Sequence, residues 1–205
     1  FQNQYMPKQL LIIFAKNPIK GKVKTRLAKA IGDEKALAIY EFLLGHIHQE
    51  IRQLAVDIEV HYSHFIDYDD DWQHDRLEKK LQTEGDLGEK MSHAFHQAFA
   101  NGYHHIIGIG TDIYDLNAND IQAGFDQLKK NPYCFGPAND GGYYLIGMTQ
   151  YQPQIFQNKS WSTASVLKET LRDLPPENVA LLQEKMDVDT IEDLKQIKEL
   201  SYIIK

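Results

Sequence analysis

Apolar runs of strand length recur along this chain, and the segments between them carry helical periodicity. Leu10-Leu11-Ile12-Ile13-Phe14-Ala15 and Ile106-Ile107-Gly108-Ile109-Gly110 contain no alternating polar residue. That pattern belongs to strands buried on both faces, and so to a mostly parallel sheet covered by helices. Between them, residues 34–54 place Ala36, Leu37, Ile39, Tyr40, Leu43, Leu44, Ile47, Ile51 and Leu54 at i, i+3/i+4 spacing, as in an amphipathic helix. Residues 58–62 alternate as a strand, and a short helix is expected over 76–81. Gly85-Asp86-Leu87-Gly88 opens a helix carrying Met91, Ala94, Phe95, Ala98 and Phe99, and 121–128 reads as another helix. Residues 133–137 and 143–148 are expected strands around Asn139-Asp140-Gly141-Gly142, 166–171 a helix, 179–182 a strand, and 191 to about 200 a last helix. This order predicts a single domain over 1–205: an α/β, three-layer α/β/α sandwich on a mostly parallel mixed sheet, with an antiparallel insertion late in the chain. Residues 1–5, ahead of Met6, are set aside from the fold argument.

Charge singles out one segment. The first thirty-two residues hold seven Lys or Arg and no acid, yet the chain carries net charge −7. The excess lies in the loop that leaves the first apolar run, Lys16-Asn17-Pro18-Ile19-Lys20-Gly21-Lys22-Val23-Lys24-Thr25-Arg26-Leu27. A buried strand feeding a Pro/Gly-broken basic loop and then a helix suits phosphate binding, although a solvated lysine-rich loop looks the same by charge alone. The loop is not a Walker A motif, because no Gly precedes Lys24. An acidic protein with one short basic loop is expected to take a small anionic ligand rather than nucleic acid. The apolar runs are too short for a membrane span. The single cysteine, Cys134, cannot form an internal disulfide, which fits a reducing compartment, so a cytoplasmic location is expected.

Three acidic positions could hold a cation. Asp112 follows the strand that ends in Gly110-Thr111, at the end where open α/β sheets bind ligands; alternatively Asp112 or Asp115 caps the next helix. In Asp187-Val188-Asp189 an extended backbone would direct both carboxylates to one side, although Asp189 or Thr190 could equally cap the last helix. Asn139-Asp140-Gly141-Gly142 also meets the needs of a plain hairpin turn. The histidines offer no zinc-ligand spacing.

Taken together, Phe14-Ala15-Lys16-x-Pro18-x-x-Gly21-x-x-Lys24-Thr25-Arg26-Leu27, Gly85-Asp86-Leu87-Gly88, Gly110-Thr111-Asp112, Gly136-Pro137-Ala138-x-Asp140-Gly141-Gly142-Tyr143-Tyr144-Leu145-Ile146-Gly147 and Asp187-Val188-Asp189-Thr190-x-x-Asp193-Leu194 resemble the DUF2064 family of the nucleotide-diphospho-sugar transferase superfamily. That family is similar to phospholactate guanylyltransferases and is often described as glycosyltransferase-like. The resemblance implies the GT-A fold. It implies that the basic loop (Lys16, Pro18, Gly21, Lys24, Thr25, Arg26) holds nucleotide phosphates, and that Asp112, Asp187 and Asp189 correspond to ligands of Mg²⁺ or Mn²⁺. Asp140, Gly141 and Gly142 are candidate substrate contacts. Tyr114 stands where such proteins usually have Pro, and Lys90 where Arg is frequent.

The expected chemistry is nucleotidyl transfer from an NTP to a small phosphorylated or hydroxyl acceptor, with Lys24, Arg26 and Asp112 as catalytic candidates. Glycosyl transfer from a nucleotide-sugar is the alternative, and a non-catalytic nucleotide-binding module the third reading. Lys24 and Arg26 read as exposed cations whose removal would weaken nucleotide binding and leave the melting temperature nearly unchanged.

Overall fold

Strand β1 (Gln9–Ala15) shows why its sequence has no polar alternation: Leu11, Ile13 and Ala15 enter one buried cluster while Leu10 and Ile12 enter another on the opposite face. The computed structural model describes residues 7–204, so the N-terminal residues set aside above lie outside it. The other strands are β2 (Asp57–Tyr62), β3 (Leu77–Leu81), β4 (His105–Ile109), β5 (Tyr133–Pro137), β6 (Tyr143–Met148) and β7 (Val179–Leu181). They form a seven-stranded sheet of order β3-β2-β1-β4-β6-β5-β7. Every pairing is parallel except those of β6, which runs antiparallel to β4 and β5. The two long apolar runs are therefore adjacent parallel strands, in register from Gln9↔His105 to Ile13↔Ile109.

Helices cover both faces. Helix α2 (Asp33–Ile51) and helix α4 (Ala118–Leu128) bury Tyr40, Ile47, Ile121 and Phe125 on one face. Helix α3 (Leu87–Ala100) buries Met91, Ala94, Phe95 and Ala98 on the other. Fully burying a side chain such as Phe95 stabilises by roughly 1.5–3 kcal/mol, and its ring needs Gly108 of β4, where a Cβ would lie 2.9 Å away. Helix α3 begins at a capping box, with the Asp86 carboxylate accepting from the Glu89 N–H and Glu89 accepting from the Asp86 N–H. A third cluster joins helix α1 (Thr25–Ile31) and α2 to the C-terminal segment through Leu27, Ile39, Leu43, Val188, Leu194, Ile197 and Leu200. Helix α5 (Val166–Arg172) packs beside the β5–β6 hairpin, its Leu167 N–H donating to Gly141 O at 3.1 Å.

Two expectations are corrected. The short helix expected over 76–81 is edge strand β3, paired with β2 from Ile58↔Leu77 to Tyr62↔Leu81. Backbone pairing to β2 outweighs the helical preference of Leu-Glu-Lys-Lys-Leu, and ion pairs hold the strand in place: Lys79 with Asp70 at 2.6 Å and Lys80 with the buried Glu59 at 2.7 Å. The single last helix is instead broken into α6 (Ile191–Lys195), a 3₁₀ turn at Lys198–Leu200 and α7 (Ser201–Ile204). Leu194, Ile197 and Leu200 repeat every three residues and all enter the α1/α2 cluster, so the backbone tightens to i→i−3 bonds such as Ile197 N–H to Leu194 O, 3.1 Å.

Candidate functional site

Parallel strands put the loops after β1, β4, β5 and β7 at one edge of the sheet, and the sequence-derived candidates gather there. The basic loop is held from beneath. Asn17 is buried; its side-chain carbonyl accepts from the backbone N–H of His64 at 2.9 Å and its amide donates to Phe65 O at 2.9 Å. Tyr40 of α2 accepts from Lys16 N–H at 2.8 Å and also lies 3.1 Å from Thr111 Oγ1, tying the loop after β1 to the loop after β4. Lys16, Pro18, Gly21 and Lys22 lie exposed along this path, with Gly21 at φ +78°. Neither Lys16 nor Lys22 has an ion-pair partner among the described residues, whereas Lys20 pairs with Glu34 at 2.6 Å.

Lys24 departs from the expectation of an exposed phosphate ligand. It caps α1 in a left-handed conformation (φ 48°, ψ 44°), and its side chain turns inward, 4 % exposed. The ammonium lies 2.5 Å from Asp112 Oδ1, donates to Val188 O at 2.5 Å and stands 3.9 Å from Asp187 Oδ1. Backbone contacts set the two acids side by side: Val188 N–H donates to Asp112 O at 3.0 Å, and Ile113 and Asp187 form an isolated antiparallel bridge. Asn139, in the turn after β5, adds a third strap, its Oδ1 accepting from Asp187 N–H at 3.1 Å.

Asp187 is the electrostatic focus. Its Oδ1 is shielded from solvent without a hydrogen-bond partner. Burial first, and then the negative charge of Asp112, pushes its carboxyl up to about 7; Lys24 acts in the opposite direction, and Asp140 and Asp189 add to the rise. Asp189 is turned to Arg26, which donates to it at 2.8 Å and is itself 63 % exposed. Its neighbour Thr190 caps α6 in a capping box with Asp193. Helix α4 is capped by Asn117 with Asp120, so neither Asp112 nor Asp115 performs that task. Asp115 instead lies 3.4 Å from the buried Lys185, which also meets Asp120 at 3.0 Å. Tyr114 stacks over Phe42 and His46 of α2 at 6.3 and 6.4 Å, anchoring the turn beside Asp112 by packing.

The resemblance to the DUF2064 family implies a divalent cation, and Asp112 with Asp187 are the residues that could hold one. Two carboxylate oxygens lie within 4 Å of a single buried nitrogen, and one of them lacks any hydrogen bond. Mg²⁺ is commonly held by one or two carboxylates, with waters and ligand phosphates completing its shell, so a pair such as Asp112 and Asp187 could serve. No group of three acidic, His or Cys side chains gathers at ligating distance among the described residues.

Asp140, Gly141 and Gly142 form the β5–β6 turn. Gly142 N–H donates to Asp140 Oδ1 at 2.9 Å, and Ala138 N–H donates to Gly142 O at 3.0 Å. Gly141 has φ +89°, and a Cβ there would lie 2.1 Å from Ala164 O, so only glycine fits. Sequence reasoning passed over Asn17, Tyr40, Asn139 and Lys185. The Asn17-Pro18 dipeptide is a turn signal that could have drawn notice to Asn17; the other three are fixed by contacts distant in sequence.

The profile of an uncharacterized protein family conserved in bacteria (DUF2064) matches residues 47–163. Among solved structures, a protein of Desulfovibrio desulfuricans G20 provisionally named a nucleotide-diphospho-sugar transferase superposes with TM-score 0.85 at 31% identity, covering 96% of this chain and 90% of the other. Two more distant structures share the fold alone. The 4-diphosphocytidyl-2C-methyl-D-erythritol synthase of Anaerococcus prevotii DSM 20548 has TM-score 0.59 and 8% identity over 97% of each chain. The Rv0371C–manganese complex of Mycobacterium tuberculosis H37Rv has TM-score 0.54 and 12% identity over 95% of this chain and 99% of that one. Comparison with curated protein sequences gives no match.

Proposed function

The chain belongs to the DUF2064 family and has the nucleotide-diphospho-sugar transferase fold, and from that premise we propose that it is a divalent-metal-dependent transferase acting on a nucleotide-activated substrate. The reaction proposed is nucleotidyl transfer: an acceptor phosphate or hydroxyl oxygen bonds to the α-phosphorus of an NTP, the bond to the bridging oxygen breaks, and pyrophosphate leaves. The observation that carries this reading is the convergence of the basic loop with Asp112 and Asp187 at one sheet edge, Lys24 reaching 164 residues along the chain to Val188.

Lys16, Lys22 and Arg26 border the loop as exposed cations that can neutralise a polyphosphate, and the density of positive charge favours a triphosphate over a nucleotide-sugar. A Mg²⁺ or Mn²⁺ held by Asp112 and Asp187, with Asp189 adjacent, would supply charge neutralisation at the reacting phosphate. Within the protein, Asn139 and the Asp112–Val188 backbone bond keep the two carboxylates aligned, and Lys24 balances their charge. The Asp140-Gly141-Gly142 turn would border the acceptor. The similarity to a provisionally named sugar transferase keeps glycosyl transfer as the second reading, with the same acids holding the diphosphate.

Incubation with single NTPs and nucleotide-sugars plus Mg²⁺ separates the two. Pyrophosphate release from an NTP supports nucleotidyl transfer, whereas nucleoside diphosphate release from a nucleotide-sugar supports glycosyl transfer. Nucleotide binding with neither product across acceptor mixtures would sink both.

A further inference from the structure

An open groove of about 510 Å³ runs between the end of β5 and helix α5, outside the acidic centre. Pro137, Ala138, Leu167 and Leu171 give it apolar walls, and Lys168 and Arg172 stand at its margin. These two residues are four apart on α5 and so share a helix face, and neither has an ion-pair partner among the described residues. Glu184, after β7, lines the groove as well, so an anion is drawn to the α5 side. Backbone ties the two walls together: Leu167 N–H bonds Gly141 O at 3.1 Å, and Gly141 approaches the segment leading into α5 so closely that a Cβ there would lie 2.1 Å from Ala164 O. One lining residue, Asn139, is the same Asn139 whose Oδ1 holds Asp187 N–H at 3.1 Å. Asn139 thus links the wall of the groove to the backbone of Asp187.

We infer that this groove is a binding site for a small amphipathic anion, a compact apolar body bearing one phosphate or carboxylate, with Lys168 and Arg172 as its recognition cations. The volume falls within the range of small-molecule sites, and mostly apolar walls with a few charged groups are the usual composition of such sites. The role of this ligand as the acceptor rests on the transferase reading above; its binding does not. The anionic group sits at the α5 margin, and the ligand's other end reaches the Asp140 turn.

The test is a ¹⁵N–¹H titration of the whole chain with phenyl phosphate and, separately, benzoate, the two probes distinguishing phosphate from carboxylate recognition. The expected result is saturable shifts of the Ala138, Gly141 and Leu167 amides with at least one probe. Lys168→Glu/Arg172→Glu should weaken that binding by about tenfold or more, as loss of charge-assisted contacts does. Both side chains are exposed, so the fold should persist; if the double variant's spectrum is disturbed, Arg172→Gln alone is read instead. Absence of shifts at these amides with both probes, or unchanged affinity in the variants, overturns the inference. An NTP–Mg²⁺ titration of the same proteins reads the basic loop independently. Loss of probe binding in the variant with NTP binding intact supports the groove, while no NTP binding by the parent overturns nucleotidyl transfer and leaves the groove result standing.

Discussion

Replacing Lys24 by Met keeps the length of the side chain and removes the charge from between Asp112 and Asp187. The ammonium is 2.5 Å from Asp112 Oδ1 and 3.9 Å from Asp187 Oδ1. Unit charges about 4 Å apart attract by about 4 kcal/mol at an effective dielectric of about 20, and two acids share this one partner. Two effects reduce the loss: Met recovers the cost of burying an ammonium, and Asp112, at 46 % side-chain exposure, is partly screened by water. The net destabilisation expected at neutral pH is about 2–3 kcal/mol. For a domain of this size that lowers the melting temperature by roughly 4–12 °C. Lys24→Gly provides the backbone control, since φ 48° strains Met and Lys alike but not Gly. Thermal unfolding is followed in EDTA and then with Mg²⁺ or Mn²⁺. In EDTA the Met variant should melt lower than the parent. The cation should then raise its melting temperature more than it raises the parent's, because it enters a negative site that no ammonium occupies. A Met variant melting within about 1 °C of the parent, or one that responds to the cation no more than the parent does, would refute the reasoning.

Arg26→Ala should change stability by less than about 0.5 kcal/mol, because the pair with Asp189 is exposed, yet should weaken NTP binding measured by calorimetry; an unchanged affinity would leave Arg26 a surface residue. Asp187→Asn tests the sign of the buried charge. A folded-state carboxyl raised to about 7 stabilises below its ordinary pKa and loses that contribution as pH rises through the folded value. In EDTA the Asn variant should therefore gain up to about 4 kcal/mol over the parent at pH 8, at about 1.4 kcal/mol per unit of pKa, and nearly nothing at pH 4, read from urea midpoints. Gly141→Ala, with a Cβ directed at Ala164 O, should destabilise by about 2–4 kcal/mol, whereas Gly102→Ala, which meets no atom within 4 Å, isolates the cost of positive φ.

Much of the sheet was legible in the sequence because buried parallel strands must be apolar on both faces. Leu10–Ala15 and Ile106–Gly110 are short runs of that kind, and they pair. The α2, α3 and α4 helices were equally visible, because one-sided burial at a 3.6-residue period leaves a mark in the local sequence. Strand β3 was not visible: Leu-Glu-Lys-Lys-Leu favours a helix until β2 offers backbone bonds and Asp70 and Glu59 offer charges. The broken C-terminal helix failed for the same reason, since the three-residue repeat of Leu194, Ile197 and Leu200 matters only against α1 and α2. At the site, the sequence by itself determined the types: a basic loop after β1, an acid after β4 and an Asp-Val-Asp after β7. Only the tertiary structure decided their relation, burying Lys24 between Asp112 and Asp187 while leaving Arg26 at the surface. Charge and side-chain type are local properties of a chain; burial, and the proximity of groups 164 residues apart, exist only once the sheet has set the loop ends beside one another.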